Sequence, residues 1–155
     1  MARVSGSVGT TRGFLQAVNK WTKETKERSE ASFKAGLKDF STELTETTPI
    51  DTGFLRSSLV VGVKGSVPSG PNAEYGSSYN STRISNAIDS VKLGDRVVFI
   101  YGATYARRLE YGFTGIDSLG RHYNQAGRFW ITAAGQKYRS IMRRAATRLR
   151  NSSSG

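Results

Sequence analysis

The residues that most suggest chemistry are Asp51, Thr52 and Gly53, which stand side by side in the chain. Asp-Thr-Gly is the active-site tripeptide of aspartic proteases, in which two aspartates share a proton and activate water. A chain with one such tripeptide would need a homodimer to pair two aspartates. Here the tripeptide follows a helical pattern and Pro49, and it precedes the bulky Phe54. The protease tripeptide instead follows a strand and precedes a small residue, so the context disfavours a protease that uses Asp51.

The other reactive side chains give catalysis still less support. The chain has no cysteine and a single histidine, His122. A histidine-rich metal site or a Ser-His-Asp triad would therefore rest on this one side chain. The Gly-x-x-x-x-Gly-Lys-Ser/Thr pattern of phosphate-binding loops is absent from the sequence. We expect no enzymatic activity, no catalytic residue, no metal site and no cofactor.

Positive charge is concentrated at the C-terminal end of the chain. The formal net charge is +11, and residues 129–155 contain no acidic side chain. The basic residues of this segment are Lys137, Arg139, Arg143, Arg144, Arg148 and Arg150. Such a segment attracts an acidic partner, which is either nucleic acid or an acidic protein surface. Non-specific contact with DNA fits this pattern, whereas no sequence-specific DNA-binding module is recognisable.

A long helical pattern precedes the tripeptide. Apolar residues recur from Phe14 to Leu44 at steps of three or four or their multiples, which is the period of one helix face. A helix of about 30 residues would be roughly 45 Å long. Its middle, residues 22–32, is rich in Lys and Glu, so we expect this part to project from the domain or to lie against another subunit. Two shorter helices with a break near Ser29 are the alternative.

The corner after this helix consists of residues with specific backbone preferences. Pro49 ends the helix, because the residue before a proline avoids the helical region. A side-chain oxygen of Asp51 or Thr52 is expected to cap the following turn. Gly53 permits a tight bend, after which Leu55 enters the core.

The middle of the chain is rich in β-prone residues and in turn formers. From N- to C-terminus the predicted elements are a strand at 58–63, a Gly- and Ser-rich loop at 65–83, a hairpin with strands at 84–93 and 96–102 joined by Gly94-Asp95, a short helical turn at 105–111 that Gly112 stops, and a second loop at 113–127 that contains His122. The loop at 65–83 either contacts a neighbouring molecule or is a surface insertion. The strand at 97–101 is apolar on both faces, and we expect it to be central in the sheet.

The last helix is predicted over residues 128–150. Its apolar residues form one stripe between two basic flanks, and we expect the stripe to pack on the sheet. The predicted fold class is α+β: a long N-terminal helix, a small antiparallel sheet of three to four strands, a short helix and a C-terminal helix packed on the sheet. One domain should span residues 1–150, followed by a flexible tail at 151–155. The longest strictly apolar run is only residues 97–101, so no membrane span is expected.

Two stretches together resemble the signatures of the tail-component family of tailed bacteriophages, the neck or tail-completion proteins. Residues 48–59 match Pro-x-Asp-Thr-Gly-x-Leu-Arg-x-Ser, and residues 101–112 match Tyr-Ala-x-x-x-Glu-Tyr/Phe-Gly. The matching positions include Pro49, Asp51, Thr52, Gly53, Leu55 and Arg56 in the first signature, and Tyr105, Ala106, Glu110 and Gly112 in the second. The order of predicted elements also matches, over residues 14–146. Two features depart from the family: the long insertion at 65–83, and Gly127-Arg128-Phe129-Trp130 where members often have an aromatic-Pro step.

The resemblance implies a structural virion protein without enzymatic activity. It would form a homo-oligomeric ring, of six or twelve copies, in the phage neck at the head-to-tail junction, around the channel through which the genomic DNA passes. A tail terminator ring that caps the tail tube is the alternative. The partners would be neighbouring neck, portal-side or tail-tube proteins, with assembly in the host cytoplasm.

Specific residues receive roles from this resemblance. Glu110, Arg107 and Arg108 would be pairing or inter-subunit groups. The arginines of the last helix would face the lumen or the adjoining ring; they are Arg139, Arg143, Arg144, Arg148 and Arg150.

Overall fold

The computed structural model describes residues 11–50, 53–66 and 79–153. In chain order the elements are α1 (Thr11–Thr47), α2 (Phe54–Ser57), β1 (Leu59–Val63), α3 (Ser81–Asp89), β2 (Val97–Tyr101), α4 (Ala106–Tyr111), β3 (Gly112–Ile116), β4 (His122–Ala126) and α5 (Trp130–Ser152). The predicted α+β class is confirmed. The four strands of the described chain form two antiparallel sheets of two strands each, β1 with β2 and β3 with β4.

The N-terminal helix is one unbroken element, which decides against a break near Ser29. It ends at Thr47, just before Pro49, as predicted. The hydroxyl of Thr48 donates to the carbonyl of Leu44 at 2.6 Å and lies 2.7 Å from the hydroxyl of Tyr101 on β2. Burial raises the pKa of the Tyr101 hydroxyl above its usual range, and the hydrogen bond with Thr48 opposes that rise. The end of α1 is thereby joined to the first sheet.

The predicted strand at 84–93 is wrong, because this segment begins with the helix α3. The side chain of Asn80 accepts a hydrogen bond from the backbone N–H of Arg83, so it caps the first turn. Ile84, Ile88 and Val91 follow at steps of four and three and are all buried. Val97–Tyr101 therefore has no hairpin partner before it and pairs with β1 instead. As β1 is its single neighbour within the described chain, β2 is not a central strand.

The predicted loop at 113–127 is also wrong, because it contains the hairpin of β3 and β4. Asp117 organises the turn: its carboxylate accepts from the backbone N–H groups of Leu119 and Arg121, each at 2.9 Å. The hydrogen bond from the backbone of Arg121 is the main reason why the pKa of Asp117 lies below its usual value. His122 is exposed and lies in the strand β4, not in a loop as expected.

The C-terminal helix packs chiefly along α1 and not on the sheet as expected. Its buried residues Ala134, Ile141 and Ala145 lie on the predicted stripe. Phe40 of α1 meets Tyr138 edge-on at 5.3 Å, and a Cβ on Gly36 would collide with the side chain of Met142. A residue without a side chain thus lets the two helices approach closely. The sheet is reached at the first turn of α5, where Trp130 contacts Tyr101 edge-on; at the other end the helix continues to Ser152, into the expected tail.

Candidate functional site

The two signatures, about fifty residues apart in sequence, meet in one corner of the fold. Between them lies a cavity of about 390 Å³, lined by Pro49, Ile50, Gly53, Leu55, Tyr105, Leu109, Gln125 and Arg128. The ring of Tyr105, which lines the cavity, stacks with the ring of Phe54, and their centroids lie 5.9 Å apart. We call this assembly of residues the signature corner. The sequence does not mark Gln125 as a site residue, and it marks Arg128 only as part of a departure from the family, because both follow the second signature and join the corner through the hairpin and the start of α5.

The first signature forms a turn around a glycine. Gly53 has a φ of 79°, which confirms the predicted tight bend. Leu55 is buried, as predicted. Ser58 fixes the end of the turn, since its hydroxyl donates to the carbonyl of Leu55 and its own carbonyl accepts from the N–H of Gly102. The Nε of Arg56 is buried and makes no hydrogen bond in the described chain.

The predicted capping by Asp51 or Thr52 lies outside the described residues. The N-cap position of α2 is Gly53, which has no side chain. Helix α1 and Pro49 precede the tripeptide, and helix α2 follows it. The strand that leads into the tripeptide of an aspartic protease is therefore replaced by a helix.

The second signature positions the last helix through Glu110. Its side chain is only 2% exposed. The carboxylate accepts hydrogen bonds from the N–H of Ile131 at 3.0 Å, from the N–H of Thr132 at 2.9 Å and from the Thr132 hydroxyl at 2.6 Å. A negative charge at a helix N-terminus is favourable, because the free N–H groups of the first turn point towards it. The carboxylate of Glu110 thus binds groups of its own chain, and it is buried and not exposed at the surface where another subunit could contact it.

A close backbone contact locks the same region. Gly112 has a φ of 84°, and a Cβ there would lie 2.6 Å from the carbonyl oxygen of Gln125. A Cβ on Gly127 would lie 2.5 Å from the carbonyl oxygen of Glu110. The backbone N–H of Arg128 donates to the carbonyl of Leu109 at 2.7 Å. Helix α4, the hairpin and the start of α5 are therefore held together by contacts that leave no room for side chains at the two glycines.

The arginines with expected surface roles fall into different environments. Arg107 is exposed, whereas the guanidinium of Arg108 lies 4.5 Å from the centre of the Phe113 ring. On α5, Arg148 pairs with Asp39 of α1 at 3.0 Å, and Lys137 pairs with Glu43 at 2.6 Å. The remaining arginines of that helix are exposed; they are Arg139, Arg143, Arg144 and Arg150. For Arg139, Arg143 and Arg144 there is no acidic partner among the residues that the structure describes.

Within residues 11–50, 53–66 and 79–153, no three His, Cys, Asp or Glu side chains are grouped so that they could hold a metal ion. No helix in these ranges is long and apolar enough to cross a membrane.

The fold and the signature corner define an α+β protein in which two separated sequence signatures form one structural unit. A protein-family model described as "Bacteriophage HK97-gp10, putative tail-component" matches residues 12–112, which include both signatures. The match covers more than half of the chain, so the protein belongs to the HK97-gp10-like family of bacteriophage tail components. The family resemblance is confirmed, and with it a structural role in the tail or neck of the virion among other virion proteins. No curated protein and no solved structure matched the chain.

Proposed function

We propose that the protein forms a homo-oligomeric ring in the phage neck, at the head-to-tail junction, and that it acts there without catalysing a reaction. The observation that carries the proposal is the family match over residues 12–112. A tail component at this position must contact copies of itself and the rings above and below it. Closed rings arise when one surface of a subunit binds a different surface of the next.

The distribution of rigid and exposed parts supports this role. The signature corner is held rigid by Glu110, by the close backbone contacts at Gly112 and Gly127 and by the Thr48–Tyr101 contact. A rigid corner can present the same surface to each neighbouring subunit. The N-terminal part of α1 extends beyond the core and is exposed along its length up to Ser29, except for the half-buried Gly13. A helix that is longer than its own core requires provides contact area for a second molecule.

The charge distribution supports a position near DNA. Arg139, Arg143 and Arg144 face solvent on α5, and no acidic residue lies between Phe129 and the end of the chain. Unpaired arginines attract phosphates by Coulomb forces that salt weakens. We place this face of α5 on the lumen side of the ring, where the genome passes.

Two measurements on the purified protein and on the phage that encodes it test the proposal. Native mass spectrometry and negative-stain microscopy should show closed rings. In a phage that lacks the protein, filled heads and finished tails should accumulate without joining. Tails of abnormal length would instead indicate a tail terminator. A protein that stays monomeric and never enters particles would contradict the proposal.

The Asp-Thr-Gly tripeptide permits a direct check of the non-enzymatic role. Asp51→Asn should leave virion assembly intact and change no hydrolytic activity. Peptide cleavage by the wild-type protein that disappears in this variant, with the fold intact, would establish a protease instead.

A further inference from the structure

A groove opens where the packing of α5 against α1 ends. Its volume is about 690 Å³. The α1 side chains that line it include Thr25, Ser29 and Phe33, and the α5 side chains include Met142, Ala146 and Leu149. Arg28 and Arg150 also line it. We call this site the end groove.

Helix α1 continues past this groove, and we call its residues 11–25 the arm. The Phe40–Tyr138 and Gly36–Met142 contacts share one antiparallel register, which places Ser152 near Lys26. Ser152 and Thr25 accordingly line the same groove. Within the described residues, the part of α1 before Lys26 therefore has no segment of α5 beside it, and it extends by roughly 22 Å at about 1.5 Å per residue.

The arm carries large apolar side chains that are exposed to solvent. Phe14, Val18 and Trp21 follow one another at steps of four and three, so they lie on one face. Their exposed fractions are 66%, 39% and 67%, and that of the adjacent Leu15 is 54%. Exposed apolar side chains that lie next to one another commonly mark a surface that binds a partner. These side chains continue the apolar face of α1 that packs against α5 further along the helix, at Phe33 and Phe40.

We propose that the arm of one copy docks into the end groove of the next copy. The two surfaces match chemically, because aromatic rings on the arm meet a largely apolar groove with two arginines, and a guanidinium binds well to an aromatic face. The arm cannot enter its own groove, since the arm and one wall of the groove are parts of the same unbroken helix. Pairing of two arms alone would involve about two heptads, which is shorter than coiled coils normally need.

Arm and groove are different surfaces of one chain, so their contact repeats from copy to copy and can close into a ring. The inference thus rests on the proposed ring and names the contact that builds it. The ten residues that precede α1 contain no aromatic residue, which makes them a weaker occupant of the groove than the arm.

Disulfide cross-linking tests the contact directly, because the chain has no cysteine of its own. Val18→Cys labels the arm and Ala146→Cys labels the groove. In the α1–α5 register Ala146 lies opposite Ser32, roughly 20 Å from Val18 along α1. A disulfide requires Cα atoms within about 7 Å, so any link between these positions joins two molecules.

The expected result is a cross-linked heterodimer when the two single variants are mixed, and a ladder that ends at the closed ring when both cysteines are in one chain. Strong linking of Val18→Cys to itself would overturn the proposal in favour of arm pairing. Rings that form without any link between the two positions would overturn the arm contact while leaving the proposed function intact. A protein that forms no ring would refute both.

Substitutions on the arm give an independent measurement. Trp21→Ser and Phe14→Ser should each raise the dissociation constant of the oligomer by roughly tenfold or more, because buried aromatic anchors dominate interfaces. The melting temperature of each variant, measured at a protein concentration low enough to dissociate the oligomer, should stay unchanged. Leu119→Ser is the matched control, since Leu119 is 75% exposed but lies on the hairpin, far along the chain from the arm. An equal effect of all three substitutions would contradict arm docking. Arm docking would also be contradicted if deletion of residues 1–10 abolished the rings while the arm variants still formed them.

Discussion

At the level of single residues, the buried carboxylate of Glu110 determines where α5 begins. The N-cap residue of that helix, Phe129, has a φ of 51° and provides no side-chain cap in the described chain. Glu110 replaces the missing cap from a distant part of the sequence, and it accepts two backbone N–H groups and one hydroxyl. A family signature residue that looks like a surface charge is therefore part of the interior.

Glu110→Ala should lower the free energy of unfolding by about 2–4 kcal/mol, because charge-assisted hydrogen bonds are lost and the buried donors stay unpaired. Glu110→Gln should cost less, about 1–2 kcal/mol, since one amide oxygen can still accept. Urea denaturation measures both. Glu46→Ala is the control, because Glu46 is exposed on α1, and it should change stability by less than about 0.5 kcal/mol. Equal costs for Glu110→Ala and Glu46→Ala would refute the capping role.

Gly112 permits a comparison between a crowded and an open glycine that both have a positive φ. Gly112 and Gly120 have similar positive φ values, 84° and 77°, but a Cβ has no neighbour within 4 Å at Gly120. Gly120→Ala should cost about 1 kcal/mol from backbone strain alone. Gly112→Ala should cost at least about 2 kcal/mol more, because φ 84° with ψ 171° is a conformation found essentially only for glycine, and because the methyl group displaces the backbone of β4. Thermal unfolding monitored by circular dichroism should show this order; similar melting temperatures for the two variants would disprove the close contact.

At the level of elements, the packing of α5 on α1 forms the long axis of the fold. Close approach at Gly36 and the edge-on contact of Phe40 with Tyr138 keep the two helices in register. The ion pairs Lys137–Glu43 and Arg148–Asp39 lie on the exposed margins of this interface. Each such pair contributes at most about 1 kcal/mol, so the apolar seam supplies most of the stability.

A pair of glycine substitutions tests this packing. Gly36→Leu should destabilise the protein by about 2–4 kcal/mol, because the new side chain needs the space that Met142 fills. Gly135→Ala on α5 meets no neighbouring atom and should stabilise the protein by about 0.5–1 kcal/mol through helix propensity. Chemical denaturation of both variants provides the measurement. A neutral Gly36→Leu would mean that the helices are not in close contact at this point.

At the level of the whole molecule, the basic residues on the two flanks of α5 differ in whether acidic residues of the chain neutralise them. Lys137 and Arg148 neutralise acidic residues of α1, so their charges are used within the chain. Arg139 and Arg143 stand four residues apart on the exposed side, without an acidic partner in the described ranges. The side of Arg139 and Arg143 therefore carries two charges that no acidic residue of the described chain neutralises, whereas on the flank of Lys137 and Arg148 only Arg144 is left in that state.

Replacement of Arg139 and Arg143 by Gln should weaken binding to a short DNA duplex and reduce the slope of log K against log salt by about 2, as expected for two lost phosphate contacts. The same two charges removed at Lys137 and Arg148 should change DNA binding less and lower stability slightly. Fluorescence anisotropy at several salt concentrations compares the two double variants. Identical losses in both would show that total charge, not the exposed face, attracts DNA.

The sequence by itself determined those elements whose signals are local. The period of apolar residues from Phe14 to Leu44 specified α1, and Pro49 specified its end. Gly53 and Gly112 marked bends, because their backbone angles are unfavourable for other residues. The family relationship was also readable, since both signatures are short contiguous stretches.

The tertiary structure decided how short segments pair and what they pack against. Ile84, Ile88 and Val91 suit a strand or a helix, and burial against α1 and β1, together with the Asn80 cap, selects the helix. The hairpin at 112–126 depends on the turn that Asp117 organises and on a glycine contact across the strands. Glu110 meets its partners more than twenty residues further along the chain. Such contacts join residues that are distant in sequence, so no local pattern of residue types specifies them.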